Sequence, residues 1–298
     1  MKRNLFKVSL FLIGMAAWAQ MASAQGIVVN KTDGTKVYFK ASEVQSVGVY
    51  GYGEEPEPQP QPGEGQTVTV NGVSFQMIAV EGGTFQMGSN SGSDNDEKPV
   101  HEVRLNSFSI GQTEVTQDLW KAVMGTNPSN FKGNKKPVEK VSWNDCQTFI
   151  QKLNQLTGKQ FRLPTEAEWE FAARGGTQSK GYTYSGSNSL SDVAWYVVNS
   201  FEKGEDSPDY GTHVVGTKSP NELDIYDMTG NVSEWCQDWY GSDYYASSVV
   251  NNPQGPSSGD SHVIRGGSWR KVASGCHVSR RDYGYTGSDD YLGFRLAQ

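Results

Sequence analysis

The chain has 298 residues with 33 acidic against 26 basic side chains, a net charge of −7, and that acidic balance argues against binding a phosphate backbone, which needs clustered Lys and Arg. Its three cysteines (Cys146, Cys236, Cys276) are too few for a disulfide scaffold, and their odd number leaves at least one thiol free. A chain of this length buries a full core without staples.

The first element is a basic start, Lys2, Arg3 and Lys7, followed by an apolar run from Val8 to Trp18 and by Ala22-Ser23-Ala24 before Gln25. This is the layout of a cleavable secretory signal over residues 1–24. The run is short of the roughly 20 apolar residues that span a bilayer, and no later stretch is apolar enough to do so. Cleavage leaves 23 basic and 33 acidic residues, a charge of −10. The mature chain is expected to be soluble, and periplasmic or extracellular.

Residues 25–53 read as a small β unit. Ile27–Val29 and Val37–Phe39 flank Asp33-Gly34, a strong hairpin signal. Two strands alone are marginal in water, so a third is expected at Val47–Tyr50, or a docking surface. Residues 54–66 alternate Pro, Glu and Gln and read as a semi-rigid linker. From residue 67 to 298 the sequence is globular, rich in Gly, Trp and Tyr, with few helical stretches. Phe149, Ile150, Leu153 and Leu156 give helical spacing over Asn144–Leu156, with Gly158 as the stop. A second short helix is expected over Pro164–Arg174, with Thr165 as N-cap and Glu166 and Glu168 at its positive end. The sequence predicts one irregular α+β domain in which loops outnumber regular elements.

Seven stretches stand in a fixed order: Val80–Ser89; Thr113-Glu114-Val115-Thr116; Pro137-Val138 with Val141–Asp145; Arg162–Gly176; Asp227–Trp235; Arg265-Gly266-Gly267-Ser268-Trp269; and Leu292-Gly293-Phe294-Arg295. In this order they resemble the formylglycine-generating enzyme family, or sulfatase-modifying factors, over residues 72–298. The resemblance implies a loop-rich variant of the C-type-lectin-like fold, often holding calcium.

The Glu166-Ala167-Glu168-Trp169-Glu170 stretch is dense in charge, and in a fold poor in secondary structure such groups are expected to hold loops together. In Asp227–Trp235, carboxylates flank a glycine turn, and hard oxygen donors of this kind suit Ca²⁺. The resemblance places calcium ligands at Asp227, Gly230, Val232 and Glu234, the middle two through their carbonyls. A plain Asx turn is the other reading of those residues. A second calcium site of the family falls nearest to Asn199 and Ser200, beside the acidic loop Glu205–Asp209.

The resemblance also implies copper- and oxygen-dependent conversion of a sulfatase cysteine to formylglycine at a pair of cysteines. The second position is Cys276, but the first is Lys271, and a charged ammonium has no lone pair for Cu(I). Ser268 and Arg280 fall at positions lining the family's substrate groove. Cys276 is then a relic in that groove, a reactive free thiol or a small buried hydrophobe. His277 beside it is not expected to share a face with it, as strand neighbours point opposite ways. Relatives with a histidine-ligated iron need an extra helical domain that residues 25–66 cannot supply. The expected function is an exported binding or structural module that recognises a peptide, protein or glycan and lacks the two-cysteine copper site. The alternative is an oxidase of the family.

Overall fold

The computed structural model describes residues 65–92, 94–284 and 287–298, together with the backbone of five strands before residue 51. The chain divides into two units, residues 1–59 and 60–298. The expected signal cleavage site and the linker up to residue 64 lie outside the described residues.

In the first unit, β3 (Gly26–Asn30) and β4 (Lys36–Lys40) form the expected antiparallel hairpin, with Val28 opposite Tyr38. Its third strand is not the one expected. β2 (Trp18–Ala22) pairs with β3, while β5 (Val44–Tyr50) runs parallel to β1 (Val8–Ile13) in a separate pair.

The second unit opens with β6 (Gly65–Val70) and β7 (Val73–Val80), joined by an Asn71-Gly72 turn in which both residues have positive φ, the conformation a two-residue hairpin asks for. β10 (Phe108–Gly111) completes that sheet on the other edge of β7. β8 (Gly83–Met87) and β9 (His101–Leu105) form a separate ladder. A four-stranded sheet is ordered β13 (Asp282–Gly284), β12 (His262–Arg265), β11 (Ser233–Trp239), β14 (Leu292–Gly293).

The helices begin and end where side chains satisfy their free backbone groups. α1 (Gln117–Met124) stops at Gly125 in the left-handed region. α2 (Trp143–Thr157) has a capping box between Ser142 and Asp145 and the expected Gly158 stop. α3 (Glu166–Ala173) starts from a capping box between Thr165 and Glu168. α4 (Leu190–Val193) is a single turn. Two apolar clusters form the core. One stacks Trp120 on Phe149 at 5.1 Å with Phe294 edge-on to both, and the other gathers Trp169, Phe171 and Met228 under β12. Cys146 lies in the first and Cys236 in the second, both fully buried.

Candidate functional site

The loop before β11 is tightly wound: Asp227, Gly230 and Asn231 all have positive φ. A Cβ at Gly230 would come within 2.3 Å of the Trp195 carbonyl, so only glycine lets the loop pass there. Gly230 donates its N–H to Gly266 O at 2.9 Å, which ties the loop to the end of β12. The loop delivers Asp227 and Glu234 into the interior, both buried. Glu234 is held by Arg295 through two hydrogen bonds of 2.7 Å and by Trp169 Nε1 at 2.8 Å. Asp227 accepts from Gly216 N at 2.6 Å through Oδ2, while its Oδ1 is buried without a partner.

A third carboxylate, Glu114, lies in the same place, and its Oε1 is likewise buried and unpartnered. The Thr113–Thr116 motif marked this stretch in the sequence, but only the fold brings it to Asp227. Burial, then the Asp227 and Glu234 charges, push Glu114 well above the ordinary carboxylate range. Burial raises Asp227 to about 6. Three carboxylates therefore face one guanidinium. With both acids raised, a proton held between the Glu114 and Asp227 carboxyls, which then hydrogen-bond each other, offsets part of this charge; a hard cation in place of that proton would meet the same oxygens. Among the described residues, no three His, Cys, Asp or Glu side chains converge as a metal cage.

At the expected second site, Asn199 bridges its own turn, accepting from Tyr196 N at 2.7 Å and donating to Ala194 O at 2.9 Å. Ser200 is buried, with its hydroxyl 3.1 Å from His213 Nε2. The His213 ring stacks on Trp195 at 3.6 Å, and the His213 backbone N–H donates to Asn231 Oδ1 at 2.9 Å. Burial, the largest cause, lowers its imidazole to about 4. Ser200 thus reaches the Asp227–Glu234 loop through His213, whereas both polar atoms of the Asn199 amide are engaged locally.

After β12 the chain turns through Gly266 and Gly267, both at positive φ. A Cβ on Gly267 would sit 2.7 Å from Cys276 Sγ, so this glycine allows the loop to close on the thiol. Cys276 ends a 3₁₀ turn, Ala273–Cys276, rather than lying in a strand. It is fully buried against Leu190 and Ala194 with Tyr184 and Tyr196 alongside. Burial pushes its thiol up to about 12, against the opposing pull of a Ser268 backbone hydrogen bond and of Lys271. His277 turns instead to the Tyr184 ring, 5.4 Å away. Lys271 forms an ion pair with Asp282 at 2.7 Å. Ser268 Oγ is buried without a partner. Arg280 pairs with Asp94 and lies 4.0 Å from Glu97. One protonated thiol beside an ion-paired ammonium does not fit Cu(I), which takes soft thiolates. Nearby, Val198, Phe201 and Val272 are 49%, 41% and 58% exposed, and Val197 N donates to Lys271 O at 3.1 Å, which joins the two segments that carry them.

The charged stretch of α3 is internal bracing. Arg162 forks onto Glu168 at 2.6 and 2.7 Å, and Arg281 onto Glu166 at 2.7 and 3.0 Å. Glu170 takes Arg174 at 2.8 Å and also Arg265. Each carboxylate of the stretch is thus matched by an arginine, as a loop-rich interior requires.

The arrangement defines a mixed α/β, loop-rich domain knit by buried arginine–carboxylate pairs, with a buried acidic centre gathered from separate segments and a buried thiol in the loop after β12. A sequence model of the sulfatase-modifying factor enzyme 1-like domain matches residues 64–298, and the chain belongs to that family, the family of the formylglycine-generating enzymes. It is 35% identical over 252 residues to the chaperone protein LppX of Paenibacillus barcinonensis, covering 70% of this chain and 83% of that protein. It is 30% identical over 287 residues to the formylglycine-generating enzyme of Streptomyces coelicolor, covering 74% and 88%. Among solved structures, Treponema denticola variable protein 1 superposes with a TM-score of 0.70 at 36% identity, over 78% of this chain and 98% of that one.

Proposed function

We propose that the chain is an exported binding module of the sulfatase-modifying factor family, of C-type-lectin-like build, that grips a polypeptide segment at the rim around Lys271. One observation carries the reading: the first cysteine position holds Lys271, ion-paired to Asp282, while the second, Cys276, is a buried thiol held far from its reactive form. The exposed Val198, Phe201 and Val272 supply apolar contact around that point. A relative named as a chaperone supports a polypeptide as the partner. Calcium in the Glu114–Asp227–Glu234 centre is the structural ion of this reading, and an exported protein meets it in quantity.

The competing reading is the family's oxidase, favoured by the kinship to a formylglycine-generating enzyme. The two separate in one assay. The full chain, incubated with Cu(I), oxygen and a Cys-x-Pro-x-Arg peptide, is expected to leave the cysteine unchanged by mass spectrometry, and a Lys271→Cys variant to gain Cu(I) binding. Robust formylglycine formation that Cys276→Ser abolishes would overturn the binding-module reading.

A further inference from the structure

We infer that β6 is an open sheet edge that pairs antiparallel with β6 of a second copy of this chain. It is the terminal strand of its sheet, beyond β7 and β10. The Asn71-Gly72 turn fixes where its main-chain groups point, because the residues flanking a two-residue turn exchange both their hydrogen bonds. Val70 therefore bonds to Val73, Val68 to Phe75 and Gln66 to Met77 in the register of this hairpin. Gly65, Thr67 and Thr69 aim their N–H and C=O groups away from β7. The alternation along β7 agrees: Gln76, opposite Thr67, accepts from Gln112 N at 3.0 Å on its other side. Gly65, Thr67 and Thr69 are exposed, and among the described residues no backbone group meets them from outside.

Other edges of the domain are covered by the chain itself. The outer side of β10 is closed by the C-terminal residues, where Ser109 and Gln298 exchange bonds of 2.9 and 2.8 Å. Arg104 on β9 takes the segment from Val250 to Asn252 in the same way, at 2.7 and 2.8 Å. An edge left open is normally blunted by a charge, a proline or a bulge. β6 has none of these: Gly65-Gln66-Thr67-Val68-Thr69-Val70 carries no charge and no proline, and its register with β7 runs without a shift. Such an edge is a template for another strand.

A second copy fits the template in charge and in face. The chain carries a net charge of −7, so two copies repel where acidic surfaces meet, yet these strands bring no charge together. A partner selected by basic residues would gain nothing from this uncharged strand. A twofold axis at Thr67 sets Thr67 opposite Thr67 and Gly65 opposite Thr69, so that all the outward groups exchange main-chain bonds. The same register keeps Gln66 and Val68 on the face where Val68 and Val70 are buried. On the exposed face it joins threonine to threonine, a favourable cross-strand pair. One short strand per copy is a small contact, at the weak and reversible end of interfaces. The edge shares no residue with the rim around Lys271 and is independent of the reading of that rim.

The test is sedimentation velocity of the full chain over a concentration series, paired with amide hydrogen exchange at the same concentrations. Self-association is expected to set in between about 10 µM and 1 mM, the range of a small transient interface. Exchange of the Gly65, Thr67 and Thr69 amides is expected to slow as the dimer forms. Thr67→Pro removes an outward N–H and spares the bonds between β6 and β7, while Thr67→Lys sets two ammonium groups face to face. Each is expected to weaken association at least about tenfold, with thermal melts close to wild type as the check on folding. A chain that stays monomeric to about 1 mM overturns the inference, and so does a dimer that both variants leave intact. Protection of the three amides at every concentration without a dimer would assign the edge to the chain's own residues, and that too overturns it.

Discussion

Asp238 shows how a single buried carboxyl sets a pH dependence here. It lies on β11 against the start of α3, where its Oδ2 accepts the Glu166 N–H at 2.8 Å, and it is almost entirely buried. Burial, and next the nearby Glu166 carboxylate, raise its acid from 3.8 to about 8. The folded chain thus keeps a proton that the unfolded chain releases near pH 4. The sign follows: the contribution is fully present below pH 4 and is lost as pH rises toward 8. Asp238→Asn keeps a side-chain acceptor and removes the charge. It is expected to raise Tm at pH 8 by about 2–4 °C, roughly 1 kcal/mol for a domain of this size, and to leave Tm at pH 4 nearly unchanged. Thermal melts of both proteins across that window decide the matter, and parallel curves reject the argument. Nothing in the sequence singled out Asp238, because its raised acid comes from burial in the folded chain and from Glu166, 72 residues away.

At the scale of elements, local signals were legible and long-range ones were not. α2 and α3 were readable because their caps and apolar spacing are encoded within a few residues, Ser142 to Asp145 and Thr165 to Glu168. α1 escaped notice although Thr116 and Gly125 bracket it and Leu119 and Trp120 are its buried side. Two of the three carboxylates of the acidic centre, Asp227 and Glu234, could be read from one stretch of sequence. Glu114 could not, since it joins them only when β14 runs parallel to β11 and sets Arg295 against Glu234. The same reasoning yields a test of that packing. Arg295→Met removes the one guanidinium facing three buried carboxylates, and breaking a buried pair this way typically costs about 3–5 kcal/mol. Denaturant titration in chelator is expected to show a loss of that size. Calcium is then expected to restore more stability to the variant than it adds to the wild type, because the cation takes over part of the arginine's role. An equal calcium effect on both proteins would separate the ion from this cluster.

Across the whole molecule, the acidic centre joins segments that the chain order keeps far apart. Glu114 follows the first sheet, Asp227 and Glu234 lead into β11, and Arg295 lies beside the last strand. In a domain with short strands and few helical turns, such a centre acts as a clasp between regions that share little regular hydrogen bonding. A ligand bound only by the folded state stabilises it by mass action, by about 2.7 kcal/mol at one hundred times its Kd. For a domain of this size that corresponds to a rise in Tm of about 5–10 °C. On the proposed calcium reading, adding a chelator to the chain is therefore expected to lower Tm by that amount. The drop should be reversed by calcium, and less fully by magnesium, which dehydrates reluctantly and demands stricter octahedral geometry. A cation at the proposed centre would compete with the proton for Glu114 and Asp227, both raised above the ordinary carboxylate range, so the calcium-dependent part of Tm is expected to shrink as pH falls through 6. A calcium effect that stays constant from pH 8 to pH 5 would mean that the ion sits elsewhere, away from these carboxylates.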